Sequence, residues 1–313
     1  MKILVLGAGG IGGYFGGRLV ENGADVTFLV RERRRDQLEQ DGLRIESVYG
    51  NASLRVRSML ARDLEPRYDV VLLTCKAYDL DSAIDSVAPG LAPDGFVAPL
   101  LNGIAHLDPL NARFGRERVL GGTAQIGVTL AKDGTVRHLN DWRQINIGEQ
   151  GGGVSPRVQK LAAAFPAASV TAHASEDILQ EMWEKLVHLA TAASMTCLMR
   201  ANVGEIVRTP SGAALLRRTF GLMAEIAARN GHPPAPAFVE RFTQVFSDGQ
   251  SAYATSMLRD VEAGNRTEGD HIVGFALEKA RAAGIDATPL EIAYTHLRAY
   301  DNRRAAGRLP GHN

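Results

Sequence analysis

Six residues near the start of the chain, Gly7-Ala8-Gly9-Gly10-Ile11-Gly12, have the spacing of a phosphate-binding turn. In such a turn Gly7 permits a sharp reversal, Gly9 leaves the backbone bare for a pyrophosphate, and Gly12 lets a helix pack closely on a strand. The N–H groups that open the helix then face the phosphates with partial positive charge. A different chemistry is suggested at Lys185, the charge in the middle of a helical stripe made by Ile178, Met182, Leu189, Ala192 and Thr196. Desolvation lowers the pKa of a lysine and a nearby carboxylate raises it again, so Lys185 is tunable as a proton donor near neutral pH. The plainer alternative is a lysine that snorkels or pairs with Glu181.

Three further positions are candidates by location. Lys76 and Asn102 follow strand-like runs, and ligands of open α/β sheets bind beyond the carboxyl ends of strands. Taken singly, Lys76 also reads as a loop lysine, and Asn102-Gly103 as a turn dipeptide. Glu268 shares a face with Ile272, Phe275 and Ala276, with Thr267 placed as N-cap; alone it reads as a first-turn carboxylate complementing the helix dipole. His106, His188 and His271 lack metal spacing and read as structural, so no metal is expected.

The elements that must hold these residues are partly legible. Lys2 to Leu6 is an apolar run of strand length, the glycine turn follows, and Tyr14, Leu19 and Val20 with Gly16 and Gly17 continue at helical spacing. Asn22-Gly23 stops that helix and Asp25 to Val30 is a second strand, which completes a dinucleotide-binding βαβ unit. Its second strand ends at Arg31, with no acid before Glu32 to accept from a ribose hydroxyl. A guanidinium suits a 2′-phosphate, so the expected cofactor is NADP(H); Arg33, Arg34 and Arg35 read as a solvated helix start.

Short strand-like pieces come next at Leu43 to Ile45 and Leu54 to Val56, then a buried strand from Asp69 to Cys75 and a helix over Ala77 to Val87. Pro89-Gly90 and Pro93-Asp94-Gly95 act as breakers before a strand from Phe96 to Leu101. Weaker strands are expected at Gln125 to Leu130, Thr135 to Leu139 and Gln144 to Ile147, with Asp133-Gly134 as a hairpin turn. A helix over Pro156 to Ala164 and a strand over Ser169 to Ala172 close this half, and from Glu176 onward helical periodicity dominates. The expected architecture is an α/β Rossmann-type domain over residues 1–175, then an all-α domain over 176–313. The tail from Arg303, with Gly307, Pro310 and Gly311, reads as frayed.

Composition narrows the function classes. The 313 residues carry 35 Lys+Arg against 35 Asp+Glu, which gives no basic surplus for nucleic acid. Two cysteines, Cys75 and Cys197, fit a reducing compartment. No apolar run reaches the ~20 residues of a membrane span, and the glycine turn interrupts any leader-like start. A cytoplasmic protein is expected.

The glycine fingerprint, Cys75-Lys76, Asn102-Gly103, Trp183-Glu184-Lys185-Leu186, Ser256-Met257-Leu258 and Arg266-Thr267-Glu268 occur in an order and spacing that resemble the ketopantoate reductase (2-dehydropantoate 2-reductase) family over nearly the whole chain. The resemblance implies NADPH-dependent reduction of a 2-keto acid to a 2-hydroxy acid, of the pantothenate-biosynthesis type, in a cleft between two domains. It implies Lys185 as general acid and Glu268 as holding substrate and cofactor. Lys76 and Asn102 would contact the cofactor and the reacting end, and Ser256 the substrate. A homodimer is implied by family analogy alone.

One departure stands out. Family members carry asparagines four and eight residues after the lysine, where this chain has Leu189 and Ala193; Asn202 lies one residue out of register with a third. A site that loses such partners loses discrimination for polar substrates. A less polar 2-keto acid, or poor handling of ketopantoate, is therefore expected. The competing readings are a D-2-hydroxy-acid or opine-type dehydrogenase on the same plan, and a non-catalytic NADP-binding sensor.

Overall fold

Strand β1 (Lys2–Leu6) lies at the centre of a parallel sheet because its residues are apolar on both faces. In the computed structural model, which describes residues 1–309, the order of this sheet is β5-β2-β1-β6-β7. Its other members are β2 (Asp25–Leu29), β5 (Arg57–Met59), β6 (Tyr68–Leu73) and β7 (Leu91–Pro99). Helix α1 (Gly10–Glu21) follows β1, and α2 (Glu32–Asp41) follows β2.

A second sheet holds β3 (Leu43–Glu46), β4 (Ala52–Leu54), β8 (Leu120–Leu130), β9 (Val136–Glu149) and β10 (Thr171–Ser175). Its order is β10-β9-β3-β4, with β8 paired antiparallel to β9. Helix α1 packs between the two sheets, and its glycines make that possible. A Cβ on Gly16 would meet the Phe28 ring of β2 at 2.7 Å, and one on Gly17 would meet Ile45 of β3 at 2.6 Å. The buried core of this region joins Ile3, Val5 and Phe28 to Leu43, Ile45, Val136 and Ile145 through Tyr14, Phe15 and Leu19 of α1. Arg18 is buried in the same layer, where it donates to Gly50 O at 2.6 Å and to Glu21 at 2.7 Å.

The helices α3 (Leu80–Val87), α4 (Leu107–Phe114) and α5 (Pro156–Ala163) complete this half. The helical half comprises α6 (Ile178–Met199), α7 (Val203–Val207), α8 (Gly212–Arg229), α9 (Pro236–Val245), α10 (Ser256–Glu262), α11 (Phe275–Ala282) and α12 (Thr288–Ala305). The chain forms two compact units: Met1–Asn102 with His106–Leu179, and Gly103–Ala105 with the chain from Gln180 on. No described helix is long and apolar enough to cross a membrane.

Several expectations change. Pro93-Asp94-Gly95 does not break the chain before β7 but lies inside it. Pairing slips there, with Leu91 opposite Tyr68 and Phe96 opposite Val70, so a bulge absorbs the turn-forming residues. The strand can hold Pro93 because it is at the sheet edge. The segments Thr135 to Leu139 and Gln144 to Ile147 are one strand, β9, whose partner shifts register between Ile126 and Val128. Leu54 to Val56 straddles the gap between β4 and β5, and the strand expected at Ser169 is displaced to Thr171–Ser175. Helix α6 opens at Ile178 rather than Glu176, and α12 remains helical to Ala305, past Arg303. Pro310 and Gly311 lie outside the described residues.

Candidate active site

The first unit contains a cavity of about 620 Å³ beside the glycine turn. Of the candidate cofactor residues, Gly7, Ala8, Gly9 and Arg31 line it; Gly10, Ile11, Gly12, Lys76 and Asn102 do not. Gly7 turns with φ +89°. A Cβ on Gly9 would meet nothing within 4 Å, so the turn leaves open space there. A Cβ on Gly12 would collide with Gly7 O and Thr74 Oγ1, which makes this the close approach between α1 and the strand ends. Thr74 secures that approach by donating from Oγ1 to Leu6 O at 2.6 Å. The amides of Gly10, Ile11 and Gly12 open α1 without helical acceptors, as the first turn of any helix does.

The cavity is electropositive. Arg31, Arg33, Arg34 and Lys132 line it against a single carboxylate, Asp79. Arg31 is 88% exposed and lies 3.7 Å from Asp79, an exposed pair that leaves the guanidinium available. The solvated-helix reading fails for Arg34. Its Nε donates to Ala8 O at 3.1 Å, and one terminal nitrogen donates to Gln37 Oε1 at 2.6 Å and Gly134 O at 3.0 Å. Arg34 therefore ties the glycine turn to the β8–β9 hairpin, and burial followed by the charge of Arg44 lowers its pKa. Sequence reasoning missed Arg34 and Lys132. The helix phase could have singled out Arg34, one turn after Arg31, but Lys132 arrives on a hairpin about a hundred residues away.

An amide-lined turn, a bare glycine and a cluster of cations suit the phosphates of a dinucleotide. Lys76 and Asn102 lie three residues beyond the adjacent, parallel strands β6 and β7. Gly103, the residue after Asn102, has φ +81° and belongs to the second unit, where a Cβ would meet His271 at 3.1 Å.

In the second unit, Lys185 is half-buried on α6, among the buried Ile178, Met182, Leu189, Ala192 and Thr196 of its stripe. Burial lowers its pKa to about 8, and the carboxylate of Glu268 opposes a larger fall. Glu268 is only 6% exposed, so it is not a solvated first-turn carboxylate. Thr267 anchors the segment, donating to Asp301 Oδ2 at 2.6 Å and accepting from Gly269 N at 3.2 Å. The turn that follows, Asp270–Gly274, is π-helical, so Glu268 does not keep the simple phase with Phe275 and Ala276 that α-helical spacing predicts. Burial lowers the His271 pKa while Glu268 raises it. Ser256 opens α10 beside Thr255, whose hydroxyl caps Leu258 N at 3.2 Å and lies 3.3 Å from that of Thr196 on α6.

The helix beyond Lys185 is apolar where the resemblance would place amides. Leu189 and Ala193 are both buried. Asn202 is occupied elsewhere: its Oδ1 accepts from Glu205 N at 2.9 Å, and the Glu205 side chain accepts from its own N–H at 2.8 Å, a capping box opening α7. His188 is not near a helix end but in the middle of α6. Its ring stacks on Phe242 at 4.3 Å, and its Nδ1 lies 3.4 Å from the Tyr253 hydroxyl. Burial, then the charges of Lys185 and Arg241, push its pKa down to about 3, so it is neutral in this setting.

The family described as Ketopantoate reductase PanE/ApbA matches residues 3–152, and its C-terminal counterpart matches residues 177–301. The chain is 36% identical over 301 residues to an uncharacterized oxidoreductase, YkpB, of Bacillus subtilis, covering 96% of this chain and 99% of that protein. The crystal structure of 2-dehydropantoate 2-reductase from Methylococcus capsulatus superposes with a TM-score of 0.87 at 30% identity, covering 97% and 98% of the two chains. D-mandelate dehydrogenase in a ternary structure with NADH and anilino(oxo)acetate shares the fold with a TM-score of 0.86 at 21% identity, covering 97% and 100%. By these matches over both halves, the chain belongs to the ketopantoate reductase family.

Proposed function

We propose that this protein is an NADPH-dependent reductase that converts a 2-keto acid into the 2-hydroxy acid. The first unit would hold the cofactor and the second the substrate. The observation that carries the reading is Lys185, a half-buried lysine lowered to about 8 beside the buried Glu268. Nicotinamide, when bound, supplies the hydride. The task left to the chain is to manage the negative charge that develops on the keto oxygen. Lys185 is mostly protonated at pH 7 and gives its proton to that oxygen, while its charge stabilises the developing alkoxide. Glu268 keeps the lysine charged and, by family analogy, orients substrate and cofactor, with Ser256, Lys76 and Asn102 in contact roles. Gly7 to Gly12 would cradle the pyrophosphate and Arg31 the 2′-phosphate.

Membership of the family supports an oxidoreductase acting on CH–OH groups. Ketopantoate, and with it pantothenate biosynthesis, is one candidate; the apolar Leu189 and Ala193 favour a less polar acceptor. That same observation keeps a D-2-hydroxy-acid dehydrogenase as the second reading, since the fold also serves D-mandelate dehydrogenase. A homodimer in the cytoplasm is part of the proposal.

Absorbance of NADPH and NADH, followed with a panel of 2-keto acids, tests the reading. Turnover is expected with NADPH and at least one acid, and to be abolished in Lys185→Met. Arg31→Ala should raise the NADPH KM about tenfold or more and leave that for NADH nearly unchanged, because only the 2′-phosphate loses its partner. No turnover with any acid and either nucleotide would leave a binding protein in its place.

A further inference from the structure

The second unit holds a ring cluster built in two layers. Phe220 and Phe246 form a buried back layer, 5.4 Å apart. In front of them stand Phe238 and Phe242, one turn apart on α9 with centroids 4.6 Å apart, together with His188 and Tyr253. None of these four residues is fully buried, although burial dominates the surroundings of His188 and Tyr253. Helix α9 buries none of its residues fully, so Phe238 and Phe242 keep part of their surface within the unit. Apolar rings that are not fully removed from water gain from further burial, which makes a ring front of this kind a candidate surface for a ligand.

Position decides which ligand. His188 is one helical turn from Lys185, and the lysine charge acts on its ring. Leu189, one turn from Lys185 and next to His188 in the chain, adds an aliphatic wall where the resemblance would place an amide. With the reacting carbonyl placed at Lys185 as proposed above, a substituent extending towards His188 and Leu189 would meet a ring and aliphatic carbon. His188 offers a neutral ring there rather than a cation.

We propose that the acceptor is a 2-keto acid with an aromatic side chain, received against the ring front of His188, Phe238, Phe242 and Tyr253 next to Lys185. The inference rests on the 2-keto-acid reductase reading above. Aromatic pairs favour centroid separations of about 4.5–7 Å in offset or edge contacts, and Phe238 keeps such separations from Phe242 and His188, at 4.6 and 6.3 Å.

The test is steady-state kcat/KM with NADPH and with NADH for pyruvate, ketopantoate, phenylpyruvate and benzoylformate, on the full chain. An aromatic acid should exceed both pyruvate and ketopantoate by about tenfold or more. In Phe242→Ala the ratio of phenylpyruvate to pyruvate should fall about tenfold, mainly through KM. Leu189→Asn gives an independent readout should Phe242→Ala not fold: the ratio of phenylpyruvate to ketopantoate should move about tenfold towards ketopantoate. Preference for ketopantoate or pyruvate in the wild type, or ratios unmoved in the folded variants, would overturn the inference and leave the reductase reading intact. No reduction of any 2-keto acid would overturn both.

Discussion

Replacing Glu268 with Gln isolates the electrostatic role of that carboxylate. The surroundings of the Lys185 ammonium disfavour it by about 3 kcal/mol net relative to water, since its pKa is about 8 where an exposed lysine has 10.5. That is the balance after Glu268 has already helped. A nearby opposite charge favours an ammonium by about one to three pKa units, so without it Lys185 should titrate at roughly 5 to 7. The sign is fixed: removing a negative charge disfavours the protonated lysine. On the proposed role of protonated Lys185 as proton donor, activity falls as pH rises through this pKa, and the alkaline limb must move to lower pH in the variant. For a central value near 6, the protonated fraction at pH 7 drops from about nine-tenths to about one-tenth, and kcat/KM falls about tenfold. At pH 5 to 5.5 most of that loss should be recovered. The assay is NADPH oxidation with the best 2-keto acid from pH 5 to 9.5, fitted for kcat/KM. A pH-independent loss with the limb still near 8, or a limb moved upward, would refute the reasoning. Glu268 would then hold ligand without setting the lysine.

Two further perturbations separate fold from function. Gly9→Ala should leave the melting temperature unchanged, because its Cβ meets nothing within 4 Å, yet weaken NADPH binding where the cofactor backbone needs the space. Gly12→Ala should cost about 1–3 kcal/mol in stability, because its Cβ meets Gly7 O and Thr74 Oγ1 in the fold itself. Thermal melts with NADPH fluorescence titrations check both, and equal destabilisation of the two would be the wrong outcome. His188→Phe should flatten the acid dependence of stability. The native pKa of His188, about 3, lies below the unfolded value near 6.5, so its contribution is intact above pH 6.5 and lost as pH falls towards 3. Between pH 7 and pH 5 the wild type should lose about 2 kcal/mol more than the variant in urea denaturation; identical losses would contradict a buried neutral imidazole.

The parts of this structure readable from sequence are those fixed by local chemistry. Strand β1, the glycine turn, α1 and β2 announce themselves by an apolar run, a Gly spacing and Asn22-Gly23, all within thirty residues. Lys185 was visible because it is the charge at the centre of a stripe whose other members are apolar. Where the reading failed, a tertiary partner overrode a local signal. Pro93-Asp94-Gly95 is turn chemistry, and only pairing with β6 turns it into a bulge inside β7. The same holds for β9, divided in the reading by polar residues that the β8 register shift accommodates. Arg34 looks like its neighbours in a basic run until Ala8 and Gly134 converge on it. His188 carried no signal at all, since nothing local indicates that rings from α9 and the segment before α10 will surround it.

The apolar character of α6 beyond Lys185 also bears on its chemistry as well as on its substrate. An asparagine at position 189 would lie one turn away on the same face and could solvate the ammonium through its carbonyl oxygen. That would favour the charged form and raise the lysine pKa. Leucine offers no such oxygen, and burial lowers the lysine pKa while Glu268 opposes it. On the proposed mechanism, the side chain at position 189 would therefore bear on both substrate recognition and the pKa of the donor. A substrate that needs no hydroxyl contact gains from it twice, through a matching apolar wall and through a lysine that releases its proton more readily to the new alkoxide. Substrate preference and the alkaline limb of the pH profile should consequently move together when position 189 is changed, because the same side chain sets the surroundings of both.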